Sequence, residues 1–296
     1  MGHQNDLFCR GMIKIMVIAH RDFKWGTRTY VMGIVNVSPD SFSGDGVASA
    51  HAAAEMAKRL EQEGADILDV GGESTRPNAN PITAAEELSR VVPAVEQISK
   101  TVAVPISIDT TKYEVALAAV NAGASILNDQ WGLKKEPRLA LLAAKHNLPI
   151  ILMSNQRDSG GYDAQTGRDT GSAADIINEV RHSLNASVEK ARQAGVAPGK
   201  IILDPGIGFG KTWQQDLEII RRLKEIKIPG YPLLIGTSRK SLIKMVLNLP
   251  ADDRLEGTAT TVAISIANGA DIVRVHDVKQ MVRVRKMADA IMRPQL

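Results

Sequence analysis

Polar and charged side chains stand at the ends of several short apolar segments in this 296-residue chain. Asp109 ends PISID, Asn128 lies near the end of SILND, and Asp204 ends KIILD. Lys240 lies in GTSRKS, and His276 ends DIVRVH. Carboxylates, an amide and cationic side chains can together hold a polar ligand by hydrogen bonds and charge. One such residue alone is more often a helix N-cap, but the series favours a binding site.

Residues 204–212, DPGIGFGKT, look like a phosphate-binding P-loop but have the wrong spacing. A P-loop needs a glycine five residues before Gly210, and that position holds Pro205. The dinucleotide pattern GxGxxG also fails, because its last position holds Lys211. We therefore interpret the glycines as allowing the backbone to lie flat against a ligand, with Asp204 directed at that ligand. Lys211 and Thr212 are then expected to begin the next helix.

Eight apolar segments rich in β-branched residues alternate with helical patterns and are the predicted strands. They cover residues 30–36, 66–71, 105–109, 125–129, 149–153, 200–204, 232–238 and 271–276. Their continuous apolar character is typical of strands that are covered on both faces. This pattern predicts a single (β/α)8 TIM barrel, with a doubly wound open sheet as the alternative.

Local signals place the ends of several helices. EGADIL (63–68), AGASIL (122–127) and NGADIV (268–273) each indicate a helix that ends at a glycine and leads into a strand. Capping boxes are expected at Thr83 with Glu86, in a helix that Pro93 should kink, and at Thr212 with Gln215. We expect residues 1–28 to be an N-terminal extension and residues 29–296 to form the barrel. The glycine-rich residues 154–175 are predicted to be a functional or mobile loop.

The composition limits the classes of partner. Hydrophobic residues make up 44% and charged residues 23%, as in ordinary globular proteins. A net charge of +3 gives no indication of nucleic acid, and no apolar run reaches the ~18 residues of a membrane span. Cys9 is the one cysteine, which fits a reducing compartment. We expect a cytoplasmic protein with no nucleic-acid or membrane partner.

In a TIM barrel, the C-terminal ends of all strands open onto one mouth. The residues at or near the C-terminal ends of the predicted strands are Asn36, Asp109, Asn128, Met153, Asp204, Arg274 and His276. GGESTRP (71–77) and SRKS (238–241) follow the second and seventh strands. The fold therefore predicts that residues far apart in the chain form one site.

Seven segments in collinear order between residues 32 and 278 carry a resemblance to a known family. They are MGIVNVSPDSFSGDG, DILDVGGESTRP, ISIDTTK, ILNDQWG, ILDPGIGFGKT, GTSRKS and RVHDV. In these segments the chain resembles the dihydropteroate synthases, a pterin-binding TIM-barrel family of folate biosynthesis. Two positions depart from the family pattern: the acid of the first loop stands one place late, at Asp45, and Ser154 stands where histidine is common.

The resemblance implies that 6-hydroxymethyl-7,8-dihydropterin pyrophosphate is condensed with p-aminobenzoate and that pyrophosphate is released. It also implies Mg²⁺, a homodimer, and sulfonamides that mimic p-aminobenzoate. The implied pterin residues are Asp109, Asn128, Met153, Asp204, Phe209 and Lys240. Asn36 is the implied metal residue, and Arg274 and His276 are the implied pyrophosphate residues. The aminobenzoate side is implied to include Phe42, Thr75, Arg76, Pro77 and Ser241. Catalytic roles are implied for Lys240, Arg274, His276 and Arg76.

These residue types suit the implied chemistry. A carboxylate such as Asp204 can accept two adjacent N–H groups from an amino-pyrimidinone edge, and Asn128 can pair with the neighbouring edge. We expect a dissociative displacement without a dedicated general base, since an aromatic amine is neutral at pH 7.

Three alternatives remain open at this stage. A pterin-dependent methyltransferase would share Asp109, Asn128 and Asp204, although it has no need of ESTRP and TSRKS. An aldolase would use Lys240 as a Schiff-base lysine. A paralogue could bind pterin without turnover.

Overall fold

The computed structural model describes residues 15–37, 49–74, 80–158, 160, 162–163, 168–169 and 174–293. The strands are β1 (Ile15–Ile18), β2 (Arg21–Lys24), β3 (Tyr30–Asn36), β4 (Ile67–Gly71), β5 (Ile106–Asp109), β6 (Ile126–Asp129), β7 (Ile150–Met153), β8 (Tyr162–Asp163), β9 (Arg168–Asp169), β10 (Ile201–Asp204), β11 (Leu234–Ile235) and β12 (Ile272–Val275). The helices are α1 (Ala50–Gln62), α2 (Ala84–Ser99), α3 (Tyr113–Ala122), α4 (Arg138–His146), α5 (Ile176–Gln193), α6 (Trp213–Arg221), α7 (Leu223–Ile226), α8 (Ser241–Leu247), α9 (Leu255–Ala267) and α10 (Val278–Met292).

Eight of these strands form one parallel sheet that curves into a barrel. Their order is β10-β7-β6-β5-β4-β3-β12-β11, and a parallel bridge between Leu203 and Leu233 joins the two edge strands. Each of the eight predicted strands is present, although β11 is shorter than expected, and helices alternate with them along the chain. The predicted (β/α)8 TIM barrel is confirmed.

The barrel interior changes from apolar to polar along the strand direction. Its lower layer is one hydrophobic cluster that includes Met32, Ile67, Ile126, Ile151, Ile202, Leu234 and Ile272. Because side chains repeat their direction every second residue, the next interior layer comes two residues later in each strand. That layer contains Asp69, Asn128, Met153, Asp204 and Arg274. The strand period therefore places the polar site directly above an apolar floor.

An N-terminal hairpin covers the end of the barrel opposite the mouth. β1 and β2 pair antiparallel, with Ile15 opposite Lys24. Met16, Ile18 and Phe23 belong to the same hydrophobic cluster as the lower barrel layer. The boundary at residue 28 stays a prediction, but the described part of the extension packs on the barrel.

The predicted helix boundaries have the expected local chemistry, except that the capping box at Thr83 is half formed. Thr83 Oγ1 accepts a hydrogen bond from the Glu86 N–H at 3.2 Å, but the Glu86 carboxylate accepts one from Arg90. Gly64, Gly123 and Gly269 have φ angles of 104°, 121° and 97° at the three repeated helix ends. This left-handed region favours glycine, which explains the recurrence of the motif. Thr212 and Gln215 form the complete capping box of α6. α2 is continuous from Ala84 to Ser99 with Pro93 inside it.

Two further features concern the loop at residues 154–175 and the membrane expectation. β8 and β9 form a short antiparallel pair within this loop, with Tyr162 opposite Asp169. Within the described ranges, no helix is long and apolar enough to cross a membrane.

Candidate active site

Arg274 is the centre of a buried hydrogen-bond network at the mouth of the barrel. Its Nε donates to Asp69 Oδ2 at 2.6 Å, and its Nη2 donates to Asp109 Oδ2 at 2.9 Å. Asn128 Nδ2 donates to the same Asp69 oxygen at 3.0 Å. The network joins β12, β4, β5 and β6, so Arg274 is not a side chain that extends freely into solvent. The structure thus brings Asp109, Asn128 and Arg274 together, as the sequence predicted.

Asp109 is held from two sides in this network. Gln130 Nε2 lies 2.6 Å and 2.7 Å from the two carboxylate oxygens, while Arg274 contacts one of them. Burial, and then the neighbouring charge of Asp69, raise the pKa of Asp109 to about 7. Arg274 and Gln130 oppose that shift. Asp109 can therefore change its charge near neutral pH.

Asp204 lies at the end of β10 with one carboxylate oxygen engaged. Its Oδ1 accepts a hydrogen bond from the Gly206 N–H at 2.7 Å. Its Oδ2 has no hydrogen bond to any described residue. Burial raises the pKa of Asp204, and the charge of Lys240 is the main opposing influence. The arrangement leaves one acceptor for a ligand.

Lys240 and Phe209 form another side of the site. Lys240 lies after β11, and Phe209 lies in the glycine-rich segment 204–212. Lys240 Nζ lies 4.8 Å from the centre of the Phe209 ring and donates to the Ile207 carbonyl oxygen. The Arg157 guanidinium lies 4.8 Å from the same ring centre. Burial lowers the pKa of Lys240 to about 8, against the attraction of Asp204. Lys240 and Phe209 are thus placed to contact one ligand together with Asp204.

Lys211 is buried and binds backbone carbonyl groups. Its Nζ donates to the carbonyl oxygens of Ser154, Gly206 and Phe209 at 2.8 Å, 2.9 Å and 3.0 Å. Only 2% of the residue is exposed. Lys211 was expected only to begin the next helix, and these contacts were not predicted. Through them, Lys211 fixes the conformation of the glycine-rich segment 204–212.

The glycines of this segment serve backbone packing more than ligand contact. A Cβ at Gly206 would lie 2.2 Å from the Ser154 carbonyl oxygen, and one at Gly210 would lie 2.4 Å from the Gln156 carbonyl carbon. Both residues have a φ of 73°. The interpretation that the glycines lie flat against a ligand is wrong at these two positions, because the chain after β7 occupies that space.

The chain after β7 contains Ser154, one of the two departures from the family pattern. Ser154 is fully buried, and its Oγ accepts a hydrogen bond from Gln156 Nε2 at 2.9 Å. Its backbone N–H donates to the Asp204 carbonyl oxygen at 2.9 Å. Ser154 therefore supports the strand that carries Asp204.

His276 and Asn36 lie at the same end of the barrel. Ser238 Oγ lies 2.9 Å from His276 Nδ1 and also accepts a hydrogen bond from the His276 backbone N–H. Asn36 is the half-buried last residue of β3, opposite Gly71 of β4. Both side chains therefore border the mouth.

The other predicted residues fall into two groups. Met153 is buried at the end of β7, and Ser241 is the exposed first residue of α8. The residues that lie outside the described ranges are Phe42, Asp45, Thr75, Arg76 and Pro77.

Two further residues of this network, Asp69 and Gln130, were not predicted from the sequence. Asp69 is an acid within the apolar run DILDVG, two residues after the interior residue Ile67. That spacing places it on the interior face, a signal that a search limited to strand ends overlooks. Gln130 lies two residues after Asn128, and the same alternation could have found it.

Comparison with known proteins agrees with this geometry. The model of the family described as pterin binding enzyme matches residues 32–276. The chain belongs to the pterin binding enzyme family. The dihydropteroate synthase of Clostridium beijerinckii is 47% identical over 280 residues, which cover 94% of this chain and 100% of that protein.

Solved structures of family members have the same fold. The Clostridium difficile dihydropteroate synthase, solved in the presence of pteroic acid, has a TM-score of 0.83 and 43% identity, covering 92% of this chain and 99% of that one. The Xanthomonas albilineans enzyme, solved with 4-aminobenzoic acid, has a TM-score of 0.85 and 33% identity, covering 95% and 99%. The predicted family and the predicted enzyme class, a dihydropteroate synthase and hence a transferase, are confirmed.

Proposed function

We propose that this pterin-binding enzyme condenses 6-hydroxymethyl-7,8-dihydropterin pyrophosphate with p-aminobenzoate to give 7,8-dihydropteroate and pyrophosphate. The observation that supports this most is the polar layer at the barrel mouth, where Asp109, Asn128 and Arg274 share one network beside Asp204 and Lys240. The relatives solved with pteroic acid and 4-aminobenzoic acid support the same pair of substrates.

The pterin ring is assigned to the polar layer. Asp204 Oδ2 would accept N–H groups of the amino-pyrimidinone edge, since Oδ1 is already bound to Gly206. Asn128 and Asp109 would pair with the neighbouring edge after their present contacts rearrange. Phe209 and Met153 supply the apolar surface against which a flat ring can pack.

The leaving group is assigned to Arg274 and His276, with Lys240 close by. In the reaction, the methylene C–O bond breaks and the electron pair leaves with pyrophosphate. The amine nitrogen then forms the new C–N bond and loses a proton to solvent.

Ser238 Oγ accepts a hydrogen bond from the His276 backbone N–H, so the hydroxyl hydrogen of Ser238 is available to His276 Nδ1. That hydrogen bond favours the imidazole form that carries its proton on Nε2, where it can donate to a phosphate oxygen.

Mg²⁺ is assigned to the pyrophosphate side with Asn36 as its protein ligand. Within the described residues, no group of three or more His, Cys, Asp or Glu side chains could hold a metal ion. One amide oxygen fits an ion that is carried mainly by phosphate oxygens and water, which is the usual mode for Mg²⁺. When bound, the ion would neutralise charge on the departing pyrophosphate.

The aminobenzoate side is assigned to Phe42, Thr75, Arg76, Pro77 and Ser241. A cationic side chain such as Arg76 suits the carboxylate of p-aminobenzoate, and its role in catalysis would be to orient the amine. Sulfonamides would compete for the same place. This assignment rests on the family pattern.

The proposal is tested by incubating the purified protein with both substrates and Mg²⁺ and measuring 7,8-dihydropteroate by chromatography. Product formation that requires both substrates supports the proposal, and its absence in a folded preparation refutes it. The aldolase alternative predicts a borohydride-trapped adduct at Lys240, whereas the proposed reaction predicts none. The methyltransferase alternative predicts methyl transfer to a corrinoid protein in place of dihydropteroate formation.

We also propose a cytoplasmic homodimer. Helices α8 and α10 both contact α9, and these three helices carry the exposed apolar side chains Met245, Val246, Leu247, Ile264, Met287, Ile291 and Met292. A second copy of the chain would cover such a surface. Light scattering during gel filtration should give twice the mass of the chain. The double variant Met287→Glu, Ile291→Glu should give the mass of a single chain.

A further inference from the structure

Three charged residues form a cluster beside the mouth, outside the polar layer described above. Lys112 Nζ donates to Glu73 Oε2 at 2.6 Å and to Glu87 Oε2 at 2.5 Å. Lys112 directly precedes α3, in the connection that begins after Asp109. Glu73 follows β4, and Glu87 lies in the first turn of α2. One ammonium group therefore joins two neighbouring strand-to-helix connections.

Glu73 also joins the two ends of its own connection. Its Oε1 accepts a hydrogen bond from the Ile82 backbone N–H at 3.1 Å, just before the Thr83 N-cap of α2. At the start of the connection, Arg90 Nη1 donates to the Gly72 carbonyl oxygen at 3.0 Å. The residues that lead into and out of 75–79 are thus fixed to each other and to α2.

The cluster depends on the charge of Lys112. Glu87 is fully buried, and its Oε1 has no hydrogen-bond partner among the described residues. Burial disfavours the Lys112 ammonium, but the hydrogen bonds that it donates to Glu73 and Glu87 outweigh this effect and raise the pKa of Lys112 above its ordinary value. Lys112 therefore stays charged at neutral pH, and its loss would leave a buried carboxylate without a cation.

A pair between Lys112 and Glu87 alone would satisfy the packing of α2. The contact between Lys112 and Glu73 does more, because it links the connection after β5 to the connection after β4. The position of the second connection then depends on the position of the first. The first of these connections begins directly after Asp109, which is assigned to the pterin side, and the second contains Thr75, Arg76 and Pro77.

We propose that Lys112, Glu73 and Glu87 are positioning residues that hold the β4–α2 connection in place for the amine substrate. This inference rests on the proposed function, in which residues 75–77 contact p-aminobenzoate. None of the three residues needs to touch either substrate. Their effect is to fix the ends of the segment that does, and small displacements of such a segment have large effects on the reaction.

The test compares the KM values of the two substrates in Lys112→Met. We expect the KM for p-aminobenzoate to rise about tenfold or more, while the KM for the pterin substrate stays within about twofold. Lys112→Arg keeps the charge and can donate to both carboxylates, so it should recover most of the affinity for the amine. If Lys112 only stabilised the fold, its replacement would not raise the KM for one substrate and leave the other unchanged.

Lys227→Met is the matched control. Lys227 Nζ pairs with the buried Asp271 Oδ2 at 2.8 Å, beside the N-terminal ends of the strands and away from the mouth. Both methionine variants should lower Tm by several degrees, because each leaves a buried carboxylate without its cation. Only Lys112→Met should change the KM for p-aminobenzoate.

Glu73→Gln provides a second variant in case Lys112→Met does not fold. Its amide oxygen can still accept from the Ile82 N–H, but the ion pair with Lys112 is lost. It should raise the KM for p-aminobenzoate selectively, by less than Lys112→Met. Equal rises in both KM values, or an unchanged KM for the amine in both variants, would overturn the inference. A wild-type protein that forms no dihydropteroate would instead refute the proposed function.

Discussion

Replacement of Asp204 tests the assignment of the pterin ring most directly. The carboxylate lies almost fully buried at the end of β10, and only Oδ1 is hydrogen-bonded within the described structure, to Gly206. Asp204→Ala would leave the N–H groups of the bound pterin edge without an acceptor. A buried donor without a partner costs about 1–3 kcal/mol, and a hydrogen bond to a charged group contributes about 1.5–3 kcal/mol. We expect the binding free energy of the pterin to fall by ~2–4 kcal/mol, which raises its dissociation constant roughly 30- to 1,000-fold.

Asp204→Asn separates ligand pairing from local structure. The asparagine oxygen can keep the hydrogen bond to the Gly206 N–H, so the turn after β10 should persist. Its amide group would then present N–H groups to the N–H groups of the pterin. We therefore expect Asp204→Asn to bind pterin as weakly as Asp204→Ala, while its free energy of unfolding stays closer to that of the wild type.

The assay is calorimetric titration with 6-hydroxymethyl-7,8-dihydropterin, which lacks the pyrophosphate group and so isolates the ring contacts. Asp289→Asn is the control, since Asp289 is equally buried and accepts a hydrogen bond from the Thr29 backbone N–H at the opposite end of the barrel. It should leave the pterin affinity unchanged. A wild-type affinity in folded Asp204→Ala would refute the assigned position of the ring.

Three other predictions concern the same region. Because the folded protein keeps a proton on Asp109 up to a pKa of about 7, its free energy of unfolding should fall by about 2 kcal/mol relative to Asp109→Asn between pH 5 and pH 8, as urea titrations can show. Lys211→Met should cost ~3 kcal/mol of stability in the same titrations, because three buried carbonyl groups lose their donor. Gly210→Ala should lower Tm more than Gly208→Ala, since both residues have positive φ but only the first meets the Gln156 backbone.

Much of the fold could be predicted because each βα unit carries its own signals. The apolar strand segments and the glycines that end the helices at Gly64, Gly123 and Gly269 depend on neighbours in the chain. These local signals fixed the number and order of the strands, and the barrel followed from their parallel alternation with helices. The N-terminal hairpin was not predicted, because its partners are side chains from seven different strands.

The glycine-rich segment shows where sequence reasoning fails. Its spacing was sufficient to exclude a P-loop, but the reason for its glycines lies in a part of the chain about fifty residues earlier, at Ser154 and Gln156. Lys211 is similar: a lysine at a helix start is ordinarily exposed, and only the closed barrel places three carbonyl groups around it. Contacts of this kind depend on tertiary structure alone.

The charges of the polar layer indicate what kind of ligand it can accept. Within the described residues, Asp69 and Asp109 share the hydrogen bonds of one cationic side chain, Arg274. Asp204 is influenced by the charges of Lys240, Arg274 and Lys211. The excess of acid beside Arg274, together with burial, is the reason that the pKa of Asp109 rises towards neutrality. A ligand edge that brings several N–H donors restores the balance without a further cation, and an amino-pyrimidinone edge is of that kind. An anionic ring would add to the excess, so the layer favours the pterin and leaves the pyrophosphate to the side of the mouth that Arg274 and His276 border.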